Sequence, residues 1–119
     1  FTDTGTDRVS KIIRAKKKAN SVKANGFFNP MYTYYRKGYG TLAYRDAWNL
    51  FDQILISEKL AKNITDGYYF YKAEIFNPNY LVQKQGRFKG YPFRTFSFGQ
   101  YLGGYSDHFP VCVYLIKKN

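Results

Sequence analysis

The residues best suited to chemistry lie near the C-terminus, where the only histidine, His108, directly follows an acid, Asp107. Histidine titrates near neutral pH, and a neighbouring carboxylate can bind a cation or a proton. The glycine pair Gly103-Gly104 precedes them, and a strand-like apolar run, residues 111–116, follows. Loops attached to strands commonly carry reactive groups because the strand holds them rigidly. A Ser-Asp turn with a solvent-exposed histidine explains the same residues equally well, and the pair alone does not decide between the two.

A second acid, Asp52, is a natural partner for His108. Asp52 lies in a short, β-branched run that predicts a strand over residues 50–57. Alternation places it on one face with Ile54 and Ile56, where a carboxylate is costly to bury unless it has a charged or hydrogen-bonded partner. Paired with His108, it would set the tautomer of the imidazole and stabilise its charged form. Alternatively, Asp52 lies at the exposed start of the strand or accepts backbone N–H groups.

The elements predicted around these residues are mostly strands. A short basic amphipathic helix is predicted over about residues 7–18, and Cys112 is predicted to be a buried small hydrophobe. The remaining predictions are strands at 41–44, 69–76 and 111–116, and a long loop at 80–104 with a strand fragment at 95–97.

Composition narrows the function only in part. The chain of 119 residues suits one domain, and its net charge of +11 favours a polyanionic partner, such as nucleic acid, a phosphorylated ligand or an anionic membrane surface. The charge is equally explained by solubility. A single cysteine excludes an internal disulfide, no Cys/His cluster suits structural zinc, and no apolar run is long enough for a transmembrane segment. The sequence indicates no compartment.

Two stretches in this order resemble a known family. Residues 48–54 surround the strand acid, and residues 106–111 form a Ser-Asp-His-x-Pro-Val motif. Together they resemble the C-terminal half of the endonuclease/exonuclease/phosphatase superfamily, in its Bacteroides-type hydrolase subgroup. The resemblance implies an α/β (α+β sandwich) fold, namely half of a DNase I-like four-layer fold with a mostly antiparallel sheet and flanking helices. Residues 1–119 would then be a fragment whose N-terminal half is absent.

The resemblance also implies catalytic roles. His108 would act as the general base or contact the scissile phosphate directly, and Asp52 would orient it. Asp107 would help to bind a divalent cation, Mg²⁺ (or Mn²⁺), or position the attacking water. The cation would neutralise charge on the phosphoryl oxygens and the leaving oxygen.

The resemblance implies substrate contacts as well. Arg94 and Tyr105, in the basic and aromatic loop, are candidate substrate-binding residues. Thr2 stands where the family's Gly-Asp-Phe-Asn motif usually has its Asn, so one phosphate contact departs from the pattern. The glutamate that binds metal in the family would belong to the absent half, so the fragment alone is expected to be nearly inactive.

Three hypotheses follow. The first is a metal-dependent phosphoesterase or nuclease that hydrolyses a phosphodiester or phosphomonoester, with a phosphate-containing substrate such as nucleic acid. The second is a non-catalytic, basic and aromatic-rich polyanion-binding module. The third is an inactive relic used for assembly. A solitary half would expose a sheet face, which predicts contact with the missing half or with a self-associating copy.

Overall fold

Antiparallel strands with a few short helices make up the computed structural model, which describes residues 16–119. This is the α+β class that the sequence predicts. No helix within residues 16–119 is long and apolar enough to cross a membrane. In chain order, apart from two 3₁₀ turns at Ala19–Ser21 and Asn79–Leu81, the elements are β1 (Phe27–Phe28), α1 (Tyr32–Arg36), β2 (Leu42–Tyr44), β3 (Ala47–Asn49), β4 (Ile56–Ser57), α2 (Glu58–Ala61), β5 (Tyr68–Ile75), β6 (Phe96–Ser97), β7 (Gln100–Tyr101) and β8 (Val111–Lys117).

The longest strand pair ends beside the Asp107-His108 motif. Strands β5 and β8 run antiparallel, with Ile75 opposite Val111 at one end. Both are rich in aromatic and β-branched residues, which favour extended backbone, and both long strands predicted from the sequence are confirmed. Beyond this end, the Phe76 N–H donates to the Pro110 carbonyl at 2.8 Å. The backbone after His108 is therefore bonded to the sheet.

The other strands form three short antiparallel pairs, β1 with β4, β2 with β3 and β6 with β7, so within residues 16–119 the strands make four pairs rather than one sheet. Two of these pairs are hairpins with two-residue turns. Arg45 and Asp46 connect β2 to β3 with φ values of 49° and 63°, and Phe98 and Gly99 connect β6 to β7 with 48° and 79°. Positive φ at both turn residues matches the twist of the flanking strands, although it costs energy for residues other than glycine.

The predicted strand over residues 50–57 is wrong for most of its length. Strand β3 ends at Asn49, β4 begins at Ile56, and the chain between them has no regular structure. Its backbone groups bond to side chains instead of to a neighbouring strand: the Asp52 N–H donates to Thr41 Oγ1 at 3.4 Å, and Gln53 Nε2 donates to the Leu50 carbonyl at 3.1 Å. Alternation therefore does not govern which way Asp52 faces.

The structure corrects two smaller predictions. Most of the predicted helix over residues 7–18 lies outside the described residues, but its last three positions are not helical. Lys16 forms an isolated parallel bridge with Phe28, because its N–H and carbonyl bond to neighbouring extended backbone. Cys112 is half-buried rather than buried, since β8 pairs with β5 alone among the described strands and Cys112 lies opposite Glu74.

The main apolar cluster lies between the short strands and the long pair. Val22, Phe28 and Ile56 are buried in it, and Phe70 of β5 and Val113 of β8 pack against it. Burying each such side chain contributes about 1.5–3 kcal/mol, so this contact holds the β1–β4 pair against the β5–β8 pair. The segments that carry Asp52 and His108 adjoin these strands: Asp52 lies before β4, and His108 lies before β8.

Candidate active site

Asp52 and His108 are in direct contact. His108 Nδ1 lies 2.7 Å from Asp52 Oδ2, although the residues are 56 positions apart in the chain. The contact proposed from sequence is thus present in the structure. A carboxylate can only accept, so in the neutral imidazole Nδ1 carries the hydrogen and Nε2 keeps a lone pair. The two side chains are 34% and 36% exposed, and such a pair adds only about 0–1 kcal/mol to stability.

One buried residue, Thr41, connects the two segments. Its carbonyl accepts the Phe109 N–H at 2.7 Å, and its Oγ1 accepts the Asp52 N–H. Its own N–H donates to the Asn49 carbonyl at 2.9 Å, and the residue is fully buried. Thr41 therefore sets the distance between the backbone of Asp52 and that of the residue after His108.

The preceding glycine permits this arrangement. A Cβ at Gly40 would lie 2.8 Å from the backbone N and O of Asn49, closer than side chains tolerate. From sequence, Thr41 is predicted only as the first residue of a strand over 41–44. Nothing local to Thr41 shows which distant backbone it will meet.

The loop before His108 packs tightly on residues 93–95. The Tyr105 N–H donates to the Phe93 carbonyl at 2.7 Å, and Thr95 Oγ1 donates to the Gly104 carbonyl at 3.1 Å. A Cβ at Gly104 would lie only 2.2 Å from the Phe93 carbonyl oxygen, so only glycine fits here. This contact fixes the course of the chain into the motif.

Two further contacts orient the histidine itself. The His108 N–H donates to Ser106 Oγ at 3.1 Å, which closes a turn around Asp107. The next residue, Phe109, is 2% exposed and its ring stacks on Trp48 with centroids 6.0 Å apart and planes 14° apart. Burial of Phe109 on one side and the turn on the other leave His108 facing Asp52.

Three other predicted residues share a shallow groove, whose lining ends at the residue before His108. Arg94, Tyr105 and Asp107 line it, together with Thr95, Phe96 and Ser106. Tyr105 is 65% exposed and makes an edge-to-face contact with Tyr80. The structure therefore joins Asp52 to His108 in one contact and places Arg94, Tyr105 and Asp107 together in one groove. The sixth residue singled out from sequence, Thr2, lies outside the described residues.

Comparison with known proteins places the chain in a family. A sequence model of the Endonuclease/Exonuclease/phosphatase family matches residues 2–117. The chain belongs to the endonuclease/exonuclease/phosphatase family. This confirms the predicted superfamily and supports a hydrolase of the phosphoesterase/nuclease class. No match was found among curated proteins, and none among solved structures. The Bacteroides-type subgroup and the C-terminal-half assignment stay predictions.

Members of the endonuclease/exonuclease/phosphatase family generally use divalent metals, so side chains that could bind such an ion are of interest. Within residues 16–119, no three His, Cys, Asp or Glu side chains cluster closely enough to hold an ion. Asp107 offers one exposed carboxylate in the groove. Mg²⁺ usually keeps several waters and takes one or two carboxylates plus substrate phosphate oxygens. The described residues thus supply one suitable ligand and no complete cage.

Proposed function

We propose that this chain provides the acid–base pair of a metal-dependent phosphoesterase or nuclease that hydrolyses a phosphodiester or phosphomonoester. The observation that carries the proposal is the 2.7 Å contact between His108 Nδ1 and Asp52 Oδ2, in a chain that belongs to the endonuclease/exonuclease/phosphatase family. The contact adds little stability because both side chains are partly exposed. It does define a tautomer, and a defined tautomer is what a general base requires.

His108 acts as the base through Nε2. This nitrogen accepts a proton from a water while the oxygen of that water forms a bond to phosphorus. The bond between phosphorus and the leaving oxygen breaks, and the leaving oxygen takes up a proton, which the imidazolium can return. A positioned base of this kind raises the rate about 10²–10⁴-fold. An alternative role for His108 is direct contact with a phosphate oxygen.

Asp52 is a positioning residue. It accepts the Nδ1 hydrogen, so that Nε2 faces the reacting water, and its negative charge stabilises the imidazolium that forms. Thr41 bonds the Asp52 backbone and the Phe109 backbone at the same time, which keeps the carboxylate and the ring at contact distance.

The groove is proposed to receive the phosphate. Arg94 would bind a phosphoryl oxygen through its guanidinium, and Tyr105 would contact the substrate with its exposed ring or hydroxyl. Asp107 would bind Mg²⁺ (or Mn²⁺) or position the water. When bound, the cation would neutralise charge on the phosphoryl oxygens and the leaving oxygen. Thr2 is proposed to stand at a further phosphate contact.

The proposal is tested by hydrolysis of a generic aryl phosphodiester and phosphomonoester with Mg²⁺ or Mn²⁺. Slow turnover is expected from the 119-residue chain, because the described residues supply one candidate metal ligand. The readout is therefore the ratio of kcat between each variant and the wild type. His108→Ala is expected to lower kcat about 10²–10⁴-fold. The matched control Thr33→Ala, at an exposed position of α1, should leave kcat unchanged. Equal rates for His108→Ala and wild type would exclude His108 as the base.

A second candidate is favoured by the exposed rings beside the groove. Phe96, Phe98, Tyr101 and Tyr105 are 59–91% exposed, and stacking on bases is a common use of such rings in basic proteins. A purely binding function predicts salt-dependent affinity for single-stranded nucleic acid that neither Asp52→Asn nor His108→Ala changes, together with no hydrolysis. Hydrolysis that depends on His108 would decide for the enzyme.

A further inference from the structure

A second pocket adjoins the groove and is rich in arginine. It lies between the β2–β3 turn and residues 87–98 and has a volume of about 380 Å³. Small-ligand sites typically span about 300–1,000 Å³, so the pocket is large enough for a phosphate group and part of the molecule that carries it. Three guanidinium side chains line it, those of Arg45, Arg87 and Arg94.

The charge of this pocket is not balanced within residues 16–119. Among these residues one acid lines the pocket, Asp46, whose Oδ1 accepts a hydrogen bond from the Tyr91 hydroxyl. That hydrogen bond is also the main reason why the pKa of Tyr91 is raised above its usual value. None of the ion pairs between described residues involves Arg45, Arg87 or Arg94. Three cations and one engaged carboxylate therefore leave a net positive pocket.

The backbone that presents Arg45 is held in a costly conformation. Arg45 and Asp46 both have positive φ, and a residue with a Cβ pays for that conformation. The Tyr91 hydroxyl stabilises it by accepting the Asp46 N–H at 2.7 Å while donating to the Asp46 carboxylate. Tyr91 is buried, so the turn is tied to the wall of the pocket.

Aromatic rings pack against two of the guanidiniums. The Arg45 guanidinium lies 5.2 Å from the Tyr44 ring centroid, and that of Arg87 lies 5.7 Å from the Phe88 ring centroid. Such stacking limits the freedom of arginine side chains without neutralising their charge. The pocket is thus preorganised for a compact anion with several oxygens, which guanidinium groups bind in a bidentate manner.

Arg94 joins this pocket to the groove, because it lines both. We propose that the arginine pocket binds a second phosphate group of the same substrate whose first phosphate reacts at His108. The substrate class is then a molecule with at least two phosphate groups. This inference rests on the proposed function for the identity of the first phosphate, but binding at the second site does not require catalysis.

The test measures binding in the His108→Ala background, where turnover does not interfere. The probes are a nucleoside 3′,5′-bisphosphate, the matching 5′-monophosphate and inorganic phosphate, each titrated calorimetrically. We expect the bisphosphate to bind at least ten times more tightly than the monophosphate. The double substitution Arg45→Gln, Arg87→Gln should abolish that preference, and Arg45→Lys, Arg87→Lys should retain part of it.

Arg36→Gln, at an exposed position of α1, is the matched control for loss of positive charge and should keep the full preference. Equal affinities for bisphosphate and monophosphate would overturn the proposal. Inorganic phosphate that binds as tightly as the bisphosphate, and is lost on Arg87→Gln, would instead show a free-anion site and would also overturn it. Failure of the proposed function looks different: His108→Ala would then leave hydrolysis unchanged.

Discussion

Gly104→Ala tests most sharply how the fold positions the loop that carries His108. The added Cβ would lie 2.2 Å from the Phe93 carbonyl oxygen and 2.5 Å from the Arg94 carbonyl oxygen. Both obstacles are backbone atoms, which cannot rotate away. Since Cβ atoms essentially never approach within 3.0 Å, the loop must move by about 0.8 Å or more. That movement would carry Tyr105 and His108 with it.

The cost follows from what the movement breaks. The bonds from Tyr105 N–H to the Phe93 carbonyl and from Thr95 Oγ1 to the Gly104 carbonyl would be lost or weakened, at about 0.5–1.5 kcal/mol each. Overpacking adds about 1–3 kcal/mol. We therefore expect Gly104→Ala to lower the free energy of unfolding by about 2–6 kcal/mol, which corresponds to a melting temperature at least about 6 °C lower.

The assay is urea denaturation followed by circular dichroism, with Gly67→Ala as the matched control. A Cβ at Gly67 meets nothing within 4 Å and its φ is not positive, so this change should alter stability by less than about 0.5 kcal/mol. A Gly104→Ala protein as stable as the Gly67→Ala protein would refute the close packing of the loop on residues 93–95, and with it the account of how His108 is placed.

Two other predictions concern the residues around the pair. Thr41→Val removes the acceptor of the Asp52 N–H and should cost about 1 kcal/mol of stability and lower kcat, whereas Thr41→Ser keeps the hydroxyl and should retain both; equal kcat in the two variants would contradict the role of Thr41. The raised pKa of Tyr91 means that its hydrogen bond to Asp46 stabilises the fold fully below the unfolded pKa near 10, and that this stabilisation is lost as pH rises through the higher folded pKa. The free energy of unfolding is measured from pH 7 to 11 for the wild type and Tyr91→Phe. The wild type should be more stable by an amount that is constant up to about pH 9 and decreases above pH 10. The exposed Tyr71→Phe should show no such difference, and a pH-independent difference for Tyr91→Phe would refute this interpretation.

The long strands and the contact between Asp52 and His108 were predictable for different reasons. Strands β5 and β8 carry a local signal, because aromatic and β-branched side chains favour extended backbone over many consecutive residues. The contact between Asp52 and His108 was predictable by elimination, since the chain has one histidine and an acid in an apolar run requires a partner. Neither prediction required knowledge of how the chain runs between the residues concerned.

The failures arise where distant backbone decides the structure. Residues 50–55 have the alternation of a strand, but no strand within the described part of the chain pairs with them, and hydrogen bonds from side chains replace the ladder. Thr41 has no local signature of its role, since its importance depends on where Asn49 and Phe109 come to lie. Likewise, Arg45 and Arg87 are 42 positions apart, and only the fold shows that they line one pocket.

The most direct measurement of the central claim is a double-mutant cycle on phosphodiester hydrolysis with Mg²⁺, using His108→Ala, Asp52→Asn and the double variant. Asp66→Asn, at an exposed loop position, serves as the charge-matched control. The proposed role of Asp52 is to act only through the imidazole, so Asp52→Asn should lower kcat substantially when His108 is present and have no further effect when it is absent. A loss on Asp52→Asn that is equally large in the His108→Ala background would contradict the claim that the two residues work as one unit.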